Sequence, residues 1–329
     1  MTMQGSAPVA AIDCGTNSIR LLIARRDEQT GALVDLERHM EIVRLGYGVD
    51  RTGRFDPAAV DRTLDACRRY ARLIEHHGAR DLRFAATSAT RDASNRDVFI
   101  DGVREILGCE VEVISGEEEA ELSFRGAVET LADLPEGRRL VVDIGGGSTE
   151  MVLGTGTPEQ RISLDMGSVR ITERHLHSDP PTEEEIAAAR ADIDALLDRA
   201  VGQMDLASTR VLVGLAGTVT TMTALALGLE TYSADVTHGA RLSLSETIEA
   251  CERVLRMSRE ERSSHCIIHP GRVDVIGAGA LIWSQIMRRI AEMTPVDSTV
   301  TSEHDILDGI AMSVLERSGG ADGGSPQLS

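Results

Sequence analysis

Two turns in this chain combine aspartate, glycine and serine at matching positions. The first lies in VAAIDCGTNSIRLLIA, from Val9, and the second in LVVDIGGGSTEMVLG, from Leu140. Setting Asp13 over Asp143 also sets Gly15 over Gly145 and Ser18 over Ser148. Glycine lets backbone N–H groups approach an anion closely, so Gly15, Gly145, Gly146 and Gly147 suit a phosphate cradle. Thr16, Asn17, Ser18 and Ser148 add side-chain donors for phosphate oxygens. Asp13 and Asp143 end apolar strands, where a carboxylate can hold a divalent cation. One such turn alone would read as an ordinary hairpin. The duplication argues for a paired phosphate clamp.

Other segments carry weaker signals. SGEEEA, from Ser115, opens a helix after an apolar strand. Acidic residues there compensate the helix dipole. Three adjacent glutamates exceed that need, and one could serve as a general base. Spacing alone does not choose among Glu117, Glu118 and Glu119. In ATSATRDA, Arg91 follows a strand and a hydroxyl-rich loop and could fork onto phosphoryl oxygens. In LAGTVTTMTAL, Gly217 and Thr218 open a helix after a strand, a position that binds anions. His265 and His269 are four residues apart, but Pro270 and Gly271 end the segment at once, so a loop with incidental histidines is expected. The chain carries no G-x-x-x-x-G-K-[ST], G-x-S-x-G or H-E-x-x-H pattern.

The elements that must position these residues follow from periodicity. Each duplicated hairpin leads into a third strand, near 32–46 and 160–168. Asp56 and Pro57 start a helix whose apolar face runs through Val60, Leu64, Cys67, Ala71 and Ile74 to Gly78. Thr182 and Glu185 form a capping box for another. Further helices are expected at 94–107, 117–131, 218–228, 245–257, 275–293 and 303–317, with strands at 82–87, 110–114 and 210–215. The pattern predicts two α/β domains facing one another across a cleft. Residues 1–125 form the first and 126–317 the second, with the helix at 303–317 a candidate to rejoin the first. Residues 1–7 read as a loose leader and 318–329, rich in glycine and serine, as a disordered tail.

Composition narrows the function classes. With 329 residues, two domains are the default. Aromatics are only 2%, so the cores are aliphatic and base-stacking platforms are absent. A net charge of −19 opposes nucleic acid and anionic membranes, and an anionic substrate would need local N–H groups, arginines or a cation. Five cysteines without C-x-x-C spacing read as thiols of a cytoplasmic protein. The N-terminus does not read as a signal peptide, and no apolar run reaches transmembrane length.

DCGTNSIRLLIA, ATSATRDA, SGEEEAELSFRGA, VVDIGGGSTEMVLG and LAGTVTTMTAL, in this order, resemble the exopolyphosphatase / guanosine pentaphosphate phosphohydrolase family. SEHDILDGI resembles its closing segment, so the likeness runs from about Val9 to Leu315. The resemblance implies an actin-like, ribonuclease-H-like fold, with a mixed five-stranded sheet and flanking helices in each domain. It implies Glu119 as the catalytic base, Arg91 as the phosphate-facing arginine and Asp143 as the metal-associated aspartate. Asp13 and Glu150 complete the expected carboxylates for Mg²⁺ or Mn²⁺. The chain resembles the short, two-domain form, which implies short polyphosphate chains as substrate. Orthophosphate would leave the chain end by metal-assisted water attack. The alternatives are a phosphohydrolase of pppGpp or a nucleoside triphosphate, an actin-like sugar kinase, and a non-catalytic polyphosphate or alarmone sensor. A second copy of the chain is a candidate partner.

Overall fold

The computed structural model describes residues 6–131 and 134–321. Contacts divide the chain into two compact units, Met1–Ser115 with Ile306–Ser329, and Gly116–Asp305. The division falls before the helix that opens at the three glutamates, not after it. Both units have the actin-like, ribonuclease-H-like plan of a three-strand meander extended by parallel strands.

The first unit begins with β1 (Val9–Cys14), β2 (Ser18–Arg26) and β3 (Leu33–Ile42), paired antiparallel in sequence. Helices α1 (Val49–Thr52) and α2 (Pro57–His77) follow. Asp56 caps α2 by accepting the Ala59 N–H at 3.1 Å, and Gly78 closes it with φ 65°. Next come β4 (Asp81–Ala86), α3 (Ser88–Asp92), α4 (Arg96–Leu107) and β5 (Val111–Val113). The sheet order is β3-β2-β1-β4-β5, with β4 and β5 parallel to β1. Every residue of β1 is buried, as expected of a central strand covered on both faces.

The second unit opens with α5 (Gly116–Val128) and repeats the meander as β6 (Arg139–Ile144), β7 (Thr149–Gly154) and β8 (Pro158–Leu164). Then follow α6 (Ser168–His175), α7 (Glu183–Gln203), β9 (Val211–Leu215), α8 (Ala216–Ala226) and α9 (Ala234–Thr237). The unit ends with β10 (Arg241–Ser243), α10 (Leu244–Arg256), α11 (Arg259–Ser264), α12 (Ile276–Met293) and β11 (Ser298–Thr301). This sheet has six strands, β10-β11-β9-β6-β7-β8, and not the expected five. The extra strand is β10, three residues that pair antiparallel with β11 and end where Ser243 caps α10. The capping box expected at Thr182 and Glu185 is present on α7. Aliphatic side chains build the core around the single tryptophan, Trp283, which fits because Gly214 carries no side chain.

The chain closes in the first unit with α13 (Ile306–Ala321). Val314 and Leu315 pack on Val9, and buried Asp308 pairs with Arg38 at 2.5 Å. Ahead of the helix Ser302 Oγ donates to His304 O at 2.7 Å and accepts the His304 N–H at 3.1 Å, a local turn. Residues 318–321 belong to this helix, whereas most of the leader and the tail from 322 lie outside the described residues. Among the described residues no helix is long and apolar enough to cross a membrane.

Candidate active site

In the second unit the turn 145–148 joins β6 to β7, and the Gly145 N–H closes it on the Ser148 carbonyl at 3.0 Å. The start of α6 then holds the turn by its carbonyls. Ser168 N–H donates to Gly145 O at 2.9 Å and Val169 N–H to Gly146 O at 2.8 Å. Arg170 Nε donates to Gly147 O at 2.7 Å. In a planar trans peptide the N–H points opposite to the C=O. With three successive carbonyls bound to α6, the N–H groups of Gly146, Gly147 and Ser148 are turned to the other side. That is the arrangement of an anion nest. Gly167 makes the approach possible. A Cβ there would lie 2.3 Å from Gly146 C and O and 2.4 Å from Gly147 N.

The first unit repeats this device. Gly15 N–H donates to Ser18 O at 2.9 Å. The segment after β3 takes the turn's carbonyls: Gly46 N–H bonds Thr16 O at 2.8 Å, and Val43 and Arg44 N–H bond Asn17 O at 3.0 and 2.9 Å. Arg44 adopts φ 53° to do so. The N–H groups of Asn17 and Ser18 therefore face away from that segment. Gly46 is the counterpart of Gly167, since a Cβ there would meet Thr16 Cγ2 at 2.4 Å. Arg91 sits in the last turn of α3, half-buried, and donates to Ile114 O at 3.0 Å.

The two turns differ in charge. Asp13 faces Arg20 across the β1–β2 ladder, and Arg20 donates to Asp13 Oδ2 from Nε at 2.9 Å and from its terminal nitrogen at 2.7 Å. Asp143 occupies the same place in β6 but faces Glu150. Asp143 is 7% exposed and Glu150 1%. Ser123 donates to Asp143 Oδ2 and Ser163 to Glu150 Oε1, each at 2.7 Å. Burial drives the Glu150 carboxyl well above its usual range, and the negative charges of Glu119 and Asp143 push it further, against hydrogen bonds from Ser163 and Ser148. The expectation that Asp13 holds a cation therefore conflicts with its pairing to Arg20. The demand for positive charge lies at Asp143 and Glu150.

Glu119 lies in the first turn of α5 and is 8% exposed, whereas Glu117 and Glu118 face solvent. Its neighbour one turn on is Ser123, the partner of Asp143. Gly217 and Thr218 sit at the start of α8, where Ala216 takes φ 67°, a left-handed conformation that costs a β-carbon-bearing residue roughly 1–2 kcal/mol. Arg272 packs on this junction and donates to Gly217 O at 3.2 Å, in space that any side chain at 217 would fill. Arg272 was not among the expected site residues. It follows directly on the Pro270–Gly271 turn, where His269 Nδ1 accepts the Gly271 N–H at 3.1 Å and shapes the turn that presents it.

Among the described residues no group of three His, Cys, Asp or Glu side chains converges as a metal cage. Mg²⁺ does not need one. It binds through one or two carboxylates, several waters and substrate phosphates. The mutually repelling Asp143 and Glu150 fit that donor set.

Residues 22–314 match the Ppx/GppA phosphatase family. The chain belongs to this family. It is similar to "Exopolyphosphatase 2" of Mycobacterium tuberculosis, 49% identical over 315 residues, which span 93% of this chain and 98% of that one. The "Guanosine-5'-triphosphate,3'-diphosphate pyrophosphatase" of Aeromonas salmonicida is 34% identical over 259 residues, covering 78% of this chain and 51% of its own. The crystal structure of an exopolyphosphatase-like protein superposes with a TM-score of 0.91 at 46% identity, covering 94% of this chain and 98% of that one. The Aquifex aeolicus Ppx/GppA family member gives 0.76 at 31% identity, with 94% and 98% coverage.

Proposed function

We propose that this chain is an exopolyphosphatase, a hydrolase of phosphoanhydride bonds that releases orthophosphate from the end of inorganic polyphosphate. The observation that carries the chemistry is the buried group of Glu119, Asp143 and Glu150 in the unit whose 145–148 turn has its N–H groups directed away from α6. Kinship with a protein named exopolyphosphatase supports the substrate class.

Glu119, shielded from bulk solvent, accepts a proton from the attacking water. The water oxygen forms a bond to the terminal phosphorus, and the bridging P–O bond breaks toward the shortened chain. The N–H groups of Gly146, Gly147 and Ser148 bind phosphate oxygens as charge builds on them, while the Ser148 hydroxyl stays on Glu150. Gly217 and Thr218 add the start of α8. Within the first unit, the turn of Gly15, Thr16, Asn17 and Ser18 has the donors to bind a phosphate group by itself, and Arg91 has a guanidinium suited to phosphoryl oxygens. Asp143 and Glu150 would hold Mg²⁺ or Mn²⁺, which supplies positive charge for the phosphate oxygens when bound. All five cysteines are free thiols, which suits a reducing compartment such as the cytoplasm.

The Aeromonas relative's name favours a second reading, in which pppGpp is the substrate. Orthophosphate release from defined short and long polyphosphates and from pppGpp, with Mg²⁺ or with EDTA, separates the two. Release from none of them would sink the hydrolase reading.

A further inference from the structure

The sheet of the second unit sets three polar residues in one row. Ser163 on β8 stands opposite Glu150 on β7, and Glu150 stands opposite Asp143 on β6. Directly opposed residues of antiparallel strands point to the same face, with Cα atoms about 4.5–5.5 Å apart. Helix α5 covers that face. Its Ala120 and Phe124 pack with Val141 and Val152, which lie two residues from Asp143 and Glu150 and so on the same side of their strands. The helix thereby brings a fourth polar residue, Ser123, onto Asp143.

Two buried carboxylates at this spacing repel each other, and each is met by a serine hydroxyl. Ser123 Oγ donates to Asp143 Oδ2 and Ser163 Oγ to Glu150 Oε1, both at 2.7 Å. Bonds from hydroxyl to carboxylate are short and strong, about 2.5–2.7 Å, and fix the acceptor's orientation. A helical serine often gives its proton to the carbonyl four residues back. Ser123 gives its one hydroxyl proton to Asp143 instead. It is buried, and its helix neighbours Ala120, Phe124 and Ala127 are all apolar, so packing alone does not call for a hydroxyl there. Ser123 also stands one turn after Glu119, so its bond ties the helix of the proposed base to the strand of Asp143.

We propose that Ser123 and Ser163 are positioning residues, whose hydroxyls hold the Asp143 and Glu150 carboxylates in the rotamers that receive a divalent cation. The proposal rests on the assignment of those two carboxylates to the cation. Carboxylates that bind metal are themselves held by hydrogen bonds, and removing such a partner costs about 10- to 100-fold in metal affinity or activity.

Calorimetric titration of the full chain with Mn²⁺, alone and with orthophosphate present, tests this without turnover. Ser123→Ala and Ser163→Ala should each weaken Mn²⁺ binding about tenfold or more. Ser163→Thr keeps the hydroxyl on a strand, where threonine is favoured, and should bind Mn²⁺ within about twofold of the wild type. The Mg²⁺ concentration for half-maximal orthophosphate release should rise about tenfold in both alanine variants, whereas kcat at saturating Mg²⁺ stays within a few-fold of wild type. Urea midpoints on the same samples separate a lost position from a lost fold. Mn²⁺ bound by both alanine variants as tightly as by the wild type, and lost in Asp143→Asn, would overturn the proposal and leave the cation assignment standing. Ser163→Thr binding as weakly as Ser163→Ala would overturn the role of the Ser163 hydroxyl. Mn²⁺ bound equally by the wild type, Asp143→Asn and Glu150→Gln, or not bound by the wild type under either condition, would overturn the cation assignment and the proposal with it.

Discussion

Gly167→Ala is a small change that should disable the 145–148 turn. Gly167 has φ −112°, which alanine adopts freely, so the backbone itself tolerates the methyl. The obstacle is contact. The new Cβ would lie 2.3 Å from Gly146 C and O, against an ordinary limit near 3.4 Å, so the atoms must part by about 1 Å. These neighbours are backbone and cannot rotate aside. Either the turn moves or α6 moves, and the hydrogen bonds from Ser168 and Val169 link the two. Overpacking of this kind costs about 1–3 kcal/mol of stability. If the N–H groups of the turn bind phosphate as proposed, displacing them by about 1 Å should lower turnover roughly 100-fold. Orthophosphate release and urea unfolding on the same preparation read both effects. Gly156→Ala is the control, because nothing lies within 4 Å of its Cβ, and it should change turnover little. A folded Gly167→Ala protein with wild-type turnover would refute the role assigned to the turn.

Two other outcomes follow from charge. Glu252 pairs with Arg190, Arg256 and Arg288, and Glu252→Gln should lower stability at pH 7 by about 1 kcal/mol. The folded carboxyl lies below its ordinary value of 4.5, so its contribution is present above that pH and fades as pH falls through the folded value. Urea midpoints of the two proteins should therefore differ at pH 7 and converge as the pH falls through the folded value of the carboxyl, and a constant gap would contradict this. Raising ionic strength at fixed Mg²⁺ should increase kcat/KM for long polyphosphate, because screening relieves repulsion between a polyanion and a chain of net charge −19. A steep fall in kcat/KM with salt would point instead to a basic track for the chain.

Much of this arrangement can be read before any coordinates. The duplicated hairpin is legible because an apolar strand, an aspartate, a glycine turn and a serine recur in one order. The choice of Glu119 over its two neighbours rests on family resemblance, yet a physical signal exists. Glu119, Ser123 and Ala127 recur at four-residue spacing on the buried side of α5, whereas Glu117 and Glu118 lie off that stripe. The backbone clamp is not legible. It depends on where carbonyls point, and Gly167 and Gly46 look like ordinary loop glycines until their missing side chains are placed. The ladder partners Arg20 and Glu150 decide the opposite charge of the two turns, and only the register shows that each faces an aspartate. The edge strand β10 and its neighbour β11 escape notice because three or four residues carry too little alternation to mark a strand.

The central claim is that Glu119 takes the proton from the attacking water. Glu119→Gln keeps the shape of the side chain and removes its basicity. The measurement is steady-state orthophosphate release from a defined polyphosphate in Mg²⁺, paired with equilibrium binding of the same substrate. The account predicts a fall in kcat of about 100- to 10,000-fold with substrate affinity within a few-fold of wild type. Turnover close to that of the wild type, with binding intact, would contradict it.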